Sequence, residues 1–199
     1  MSKNVNSIAF CGIDGSGKST ALNHAFQLLS SDKLIVDKTQ FMVSPAQATG
    51  QASTSLAKDY LKIWNSGFKM VIHYLKSIYD KETADIILQD RHLMCLLAHA
   101  YAEGISRIDL LKHLFSIFPP FKDPDLIIYF DVEVKTALER IEAERDILDR
   151  HENYESLSKI KDGYEILIPC TKNIEIINAN QSLDEVNKQI EQVLSKKLK

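Results

Sequence analysis

Short apolar runs alternate along the chain with longer stretches whose apolar residues recur every three or four positions. That is the pattern of strand–helix units laid into a parallel sheet. Ser7 to Cys11 (SIAFC) reads as a short buried strand, and Lys18 to Ser30 as a helix with Leu22, Phe26 and Leu29 on one side. Lys33 to Val36 begins a second strand. Ser44 to Asp59, with Pro45, Gly50 and small polar residues, predicts a loop entering a helix over Leu61 to Tyr79. Asp85 to Leu88 (DIIL) is a third strand, followed by helices over about Leu93 to Glu103 and Arg107 to Ile117. Pro119, Pro120 and Pro124 force a loop before a fourth strand, Leu126 to Phe130 (LIIYF). Helices over Val134 to Glu144 and Glu152 to Leu167, a fifth strand over Ile174 to Ile177 and a closing helix over Leu183 to Leu194 complete the pattern. Lys196 to Lys199 reads as a solvated tail. The expected fold is an α/β three-layer sandwich, a five-stranded parallel sheet between helices, in one domain over residues 1–199.

One segment turns this pattern into chemistry. Gly12-Ile13-Asp14-Gly15-Ser16-Gly17-Lys18-Ser19-Thr20 lies between the first strand and the first helix and fits GxxxxGK[ST], the phosphate-binding P-loop. Gly12, Gly15 and Gly17 let the backbone turn its amides inward, and the helix beginning near Lys18 presents its positive end to the same anion. Ser16 and Thr20 lie in the same cradle. Lys18 can reach the terminal phosphates of a nucleoside triphosphate, and Ser19 can ligate Mg²⁺. The expected cofactors are therefore ATP and Mg²⁺.

Asp90-Arg91-His92 follows the third strand. An acid at the carboxyl end of a strand neighbouring a P-loop suits a Mg²⁺ ligand, direct or through water, and Arg91 suits phosphoryl oxygens. His92 fits a structural or a site role equally. Arg140, Arg145 and Arg150 make a third candidate. Arginines over a triphosphate would neutralise shifting charge and exclude water. With Glu142, Glu144, Asp146 and Asp149 close by, the same run also describes a solvated helical face.

Composition narrows the classes further. The net charge is -3, so no global positive field argues for nucleic acid or an anionic membrane. Three cysteines without CxxC spacing suggest reduced thiols in a cytoplasmic protein, and no apolar run approaches membrane-spanning length. Met1 to Phe10 lacks the basic-then-apolar pattern of a signal peptide.

Taken in order, GIDGSGKST (12–20), DRH (90–92), PDLIIYFDVEVKTALERI (124–141), RDILDRHE (145–152) and NIEIINAN (173–180) resemble the thymidylate kinase family of nucleoside monophosphate kinases. The likeness implies a P-loop kinase fold with a short, arginine-bearing helical lid at about 142–153. It implies that Asp14 contacts the acceptor sugar, that Arg91 holds acceptor and donor phosphates, and that Arg145 and Arg150 supply the lid charge. Asn180 would lie near the adenine, with Arg140 covering it. It also implies a homodimer. The acceptor half departs from the family. Where members carry an arginine-bearing segment after the second strand, this chain has Lys38. Trp64, Phe68 and Lys69 stand near the family's base-stacking phenylalanine and its arginine, and either aromatic could equally be core. Cys95 aligns with a serine of the family, and His99 with a following polar position. The resemblance thus implies a kinase of a nucleoside monophosphate, dTMP or a close analogue. The departures leave open another small acceptor on the same scaffold, such as a nucleoside or specialised metabolite. A nucleotide-binding regulatory module with little turnover is the reading from outside enzymology.

Overall fold

The computed structural model describes residues 5–31, 36–40, 85–104, 124–149 and 151–198, with the side chains of 31 and 37–40 outside the description. The described elements are β1 (Ser7–Cys11), α1 (Lys18–Ser31), β2 (Val36–Gln40), β3 (Ile86–Asp90), α2 (Leu93–Ala102), β4 (Leu126–Asp131), α3 (Val134–Glu144), α4 (Tyr154–Leu167), β5 (Ile174–Asn178) and α5 (Leu183–Lys197). The expected segments at Ser44 to Asp59, Leu61 to Tyr79 and Arg107 to Ile117 lie outside the described residues.

The five strands form one sheet in the order β2-β3-β1-β4-β5, with every pairing parallel. β1 is central and all five of its residues are buried, as expected for a strand covered on both faces. The chain leaves β1 through α1 toward β2 on one side of the sheet, and leaves its neighbour β4 toward β5 on the other. The carboxyl end of β1 is therefore a topological switch point, where open α/β sheets place their ligands. β3 runs to Asp90 rather than stopping at Leu88, because Gln89 and Asp90 stay in register with β1 and β2. The ladder depends on backbone groups, so polar side chains at the strand end do not interrupt it.

At the opposite end of the sheet, the Asp125 carboxylate accepts from Ser7 N at 3.0 Å and Ser7 Oγ at 2.9 Å, latching β4 to β1. α5 begins at a capping box, Ser182 with Glu185. It continues to Lys197, so Lys196 and Lys197 are helical rather than a free tail. Their charges complement the negative helix end, and Lys197 Nζ pairs with Glu175 at 2.7 Å. The lid expectation also changes. Beyond Glu144 the described residues 145–149 and 151–153 are not helical. Arg145 caps α3 in extended geometry, and Asn153 opens α4 by accepting from Ser156 N at 2.9 Å. Asp146 and Asp149 would face the negative end of a longer α3, which opposes its continuation.

Candidate active site

At two positions the P-loop has a left-handed backbone that favours glycine. Gly15 has φ +74°, and a Cβ there would run into the carbonyl of Ala137 on α3. Gly17 has φ +82° with open space around it among the described residues. The loop closes on itself through Ser16 N donating to Ile13 O at 3.3 Å. The Ser16 hydroxyl is buried without a partner among the described residues. Ser19 and Thr20 are exposed at the start of α1.

Lys18 is 5% exposed, and its Nζ donates to Ile13 O at 3.1 Å and to Asp14 Oδ1 at 3.4 Å. Burial lowers the Lys18 pKa, Arg91 adds to the lowering, and Asp14 opposes both. Arg91 Nη2 donates to the same Asp14 oxygen. Burial alone would raise the Asp14 carboxyl, but Arg91 and then Lys18 outweigh it and hold the group well below the usual carboxylate range. Residues 77 positions apart are thus joined because β1 and β3 are neighbours.

Arg91 itself has φ +72°, a left-handed conformation that L-residues rarely adopt. Its backbone N donates to Phe10 O at 3.0 Å, extending the β1–β3 ladder by one bond before the chain turns. The turn sends the guanidinium back toward Asp14 while its Nη1 stays buried and without a partner among the described residues. The left-handed backbone and the unused Nη1 leave one edge of the guanidinium able to donate to an anion. Asp90 Oδ1 is likewise buried and unpaired among the described residues. That oxygen and the Ser19 hydroxyl are hard donors, which fit Mg²⁺ when phosphates and water complete its shell. Among the described residues no group of three or more His, Cys, Asp or Glu side chains could hold a metal by itself.

Cys95 does not face the site. It is 0% exposed, in the first turn of α2, with its sulfur accepting from His92 N at 3.5 Å. Burial would raise its thiol, but hydrogen bonding from Cys11 and the nearby Arg91 charge bring it down to about 6. It belongs to an interior cluster with Cys11 and Tyr164 beneath the P-loop. His92, at 1% exposure, is also interior.

His99, one turn further along α2, lines a cavity of about 450 Å³. Glu103 and His151 share that wall, paired at 3.5 Å, and the His99 and His151 rings meet edge-on at 6.3 Å. Burial and then Arg91 push His99 down to about 3, so it is a neutral imidazole. Its Nε2 has no partner among the described residues. Glu103 and His151 were not singled out from sequence. Nothing local marks them, since α2 and α4 bring them together across 48 positions.

Directly after His151 in the chain, Glu152 Oε1 accepts from Arg145 Nη1 at 2.8 Å. Glu152 is only 3% exposed and also accepts from Asp149 N at 2.7 Å. Sequence reasoning named the arginine and missed the buried carboxylate that holds it. Arg140 is half-buried on α3. Asn180 Oδ1 accepts from Glu133 N at 2.8 Å, tying the turn after β5 to the start of α3. Lys38 falls within β2 with its side chain undescribed, and Trp64, Phe68, Lys69 and Arg150 lie outside the described residues.

The family described as Thymidylate kinase matches residues 69–190. A thymidylate kinase of Finegoldia magna is 29% identical over 204 residues, covering 96% of this chain and 98% of that protein. A probable thymidylate kinase of Methanobrevibacter smithii is 31% identical over 199 residues, covering 94% and 93%. One from Sulfolobus acidocaldarius is 27% identical over 190 residues, covering 90% and 91%. The family match spans β3 but starts after the P-loop, while the relatives align over nearly the whole chain; the chain belongs to the thymidylate kinase family, a family of phosphotransferases.

Proposed function

We propose that this protein is an ATP- and Mg²⁺-dependent kinase that transfers the terminal phosphoryl group of ATP to dTMP or a close analogue. The observation that carries this reading is the Asp14–Arg91 pair at the P-loop. It sets a carboxylate and a partly unsatisfied guanidinium beside Lys18, with His99 within range of both charges. Names of the relatives supply the acceptor's identity.

In this reading the P-loop amides from Gly12, Gly15, Ser16 and Gly17 cradle the donor phosphates. Lys18 leaves Ile13 and Asp14 to neutralise the moving group. Arg91 spans donor and acceptor phosphates with the edge that Asp14 does not occupy. Asp14 accepts from an acceptor sugar hydroxyl, and its depressed pKa keeps it an acceptor at any working pH. Ser19 and Asp90 would hold Mg²⁺, which supplies charge neutralisation at the transferring phosphate. Arg145 and Arg150 close over the site, with Arg145 exchanging Glu152 for phosphate. No protein base is needed, because an acceptor phosphate oxygen is already a nucleophile at neutral pH. Asn180 and Arg140 flank the adenine. His99 faces the acceptor from the cavity, with Lys38, Trp64, Phe68 and Lys69 as the remaining acceptor contacts. The whole chain, 1–199, forms one kinase domain with its lid at about 142–153. It works as a cytoplasmic homodimer, whose mass light scattering would report.

The test is ADP release with ATP, Mg²⁺ and a panel of nucleoside monophosphates, nucleosides and sugar phosphates. Turnover that depends on dTMP is the expected result. Turnover only with an unphosphorylated acceptor, or none with any acceptor, refutes the proposal.

A further inference from the structure

Tyr164 is a large polar residue placed where only its ring would be expected. It lies on α4 at 0% exposure, with its ring against Tyr129 at 5.0 Å between centroids. The hydroxyl reaches through the core to donate to the carbonyl of Gly12, the first P-loop residue, at 3.2 Å. No other described side chain donates to that carbonyl. Burial raises the phenol well above its ordinary value, with the charges of Cys95 and Cys11 and a hydrogen bond to Cys95 adding to the effect, so the hydroxyl keeps its proton, which lies within reach of both Cys95 and the Gly12 carbonyl.

The surroundings hold this contact in place from several sides. Gly163, the preceding residue, lets α4 lie directly on α2, since a Cβ there would come within 2.8 Å of Ala98 O. Gly12 is clamped from the far side, where a Cβ would meet Phe130 O at 3.0 Å. The peptide that begins at Gly12 leads into Ile13, whose carbonyl accepts from both Ser16 N and Lys18 Nζ. Peptide planes are rigid, so fixing the Gly12 carbonyl restricts the orientation of the next unit and the resting place of Lys18. A buried carbonyl deprived of its donor has no water to replace it.

We propose that Tyr164 is a positioning residue for the donor nucleotide: its hydroxyl, anchored in the core by α4, holds the Gly12 carbonyl and so presets the P-loop backbone before phosphates bind. The proposal rests on the P-loop holding ATP, as argued above. It also links that loop to the helix that follows the Arg145–Glu152 pair. Preorganisation of this kind appears as affinity for ligands that engage the cradle, because less ordering remains to be done on binding.

The experiment is Tyr164→Phe in the full-length chain, with ATP and ADP binding measured by calorimetry and acceptor KM by ADP release. The expected result is a rise of about tenfold in Kd for both ATP and ADP, the scale of one lost buried hydrogen bond. The KM of dTMP should move by less than about threefold, because Arg91, although paired with Asp14, is also anchored by its backbone bond to Phe10 O at the end of β1. 4-Aminophenylalanine at position 164 restores a donor and should recover most of the lost affinity, a rescue that a purely packing role would not give. Unchanged ATP and ADP binding in Tyr164→Phe overturns the proposal. So does equal weakening of nucleotide and acceptor, or an amino variant no better than Phe. Failure of the unsubstituted protein to bind ATP would instead refute the underlying P-loop assignment.

Discussion

Two single-methyl substitutions separate the parts of the P-loop geometry. Gly15 and Gly17 both have left-handed φ, at +74° and +82°. Placing Ala at either costs ~1 kcal/mol for the conformation, offset by ~0.5 kcal/mol from the reduced freedom of the unfolded chain. Only at Gly15 does the new methyl meet backbone, lying 2.8 Å from Ala137 C and 3.0 Å from Ala137 Cα, with the carbonyl oxygen closer still. α3 would have to shift as a unit, because the obstruction is not the end of a flexible side chain. Overpacking of this kind adds ~1–3 kcal/mol. Gly15→Ala should therefore cost ~1.5–3.5 kcal/mol and Gly17→Ala ~0.5 kcal/mol. For a chain of this length, that is a Tm fall of about 3–14 °C against about 1–2 °C. Scanning calorimetry without nucleotide reads the difference directly. Equal Tm values for the two variants would refute the claim that α3 packs on the loop at Gly15.

Three further outcomes follow from the charged groups. Lys18→Ala should abolish phosphoryl transfer while circular dichroism stays native; activity near that of the unsubstituted protein would dismiss the P-loop assignment. For Asp14, the folded pKa lies below the ordinary 3.8, so its stabilising contribution is present above that value and is lost as pH falls through the folded one. The Tm advantage of the unsubstituted protein over Asp14→Asn should hold at neutral pH and shrink below about pH 4; an advantage independent of pH would contradict the ion pair with Arg91. His99 is held near 3 against an ordinary 6.5, so the stability gained by keeping it neutral is full above 6.5 and declines as pH falls toward 3. Its imidazole NMR shifts should stay flat between about pH 5 and 7, and a midpoint near 6.5 would place the ring in solvent instead.

The donor half of the site was legible because its information is local. Glycine spacing specifies left-handed turns, and an apolar run before them with a helical pattern after them specifies the strand–loop–helix frame. Asp90-Arg91 was legible for a related reason, since polar residues directly after a buried strand fall at the sheet's carboxyl edge. The positive φ of Arg91 was not, because arginine carries no propensity for it and only the tertiary bond to Phe10 O and the pairing with Asp14 select it. Cys95 was placed toward substrate by alignment, yet the first turn of α2 points it into the core, where it meets Cys11 across 84 positions. Glu152 carried a faint signal, an acid seven residues beyond Arg145. Its burial depends on α4 folding back over the sheet. Tyr164 carried none: among apolar neighbours at helical spacing, a tyrosine reads as core, and only the Gly12 carbonyl 152 positions away gives its hydroxyl a purpose. A charged chain end predicts a solvated tail at Lys196 and Lys197, whereas they form the last turn of an amphipathic helix.

The central claim is that the Asp14–Arg91–Lys18 constellation transfers phosphate from ATP to a nucleoside monophosphate. Single-turnover mixing of γ-labelled ATP, Mg²⁺ and dTMP tests it most directly. The account predicts that label appears in dTDP and that Arg91→Ala and Lys18→Ala each abolish the transfer. Label released only as inorganic phosphate, at a rate indifferent to dTMP, would contradict it.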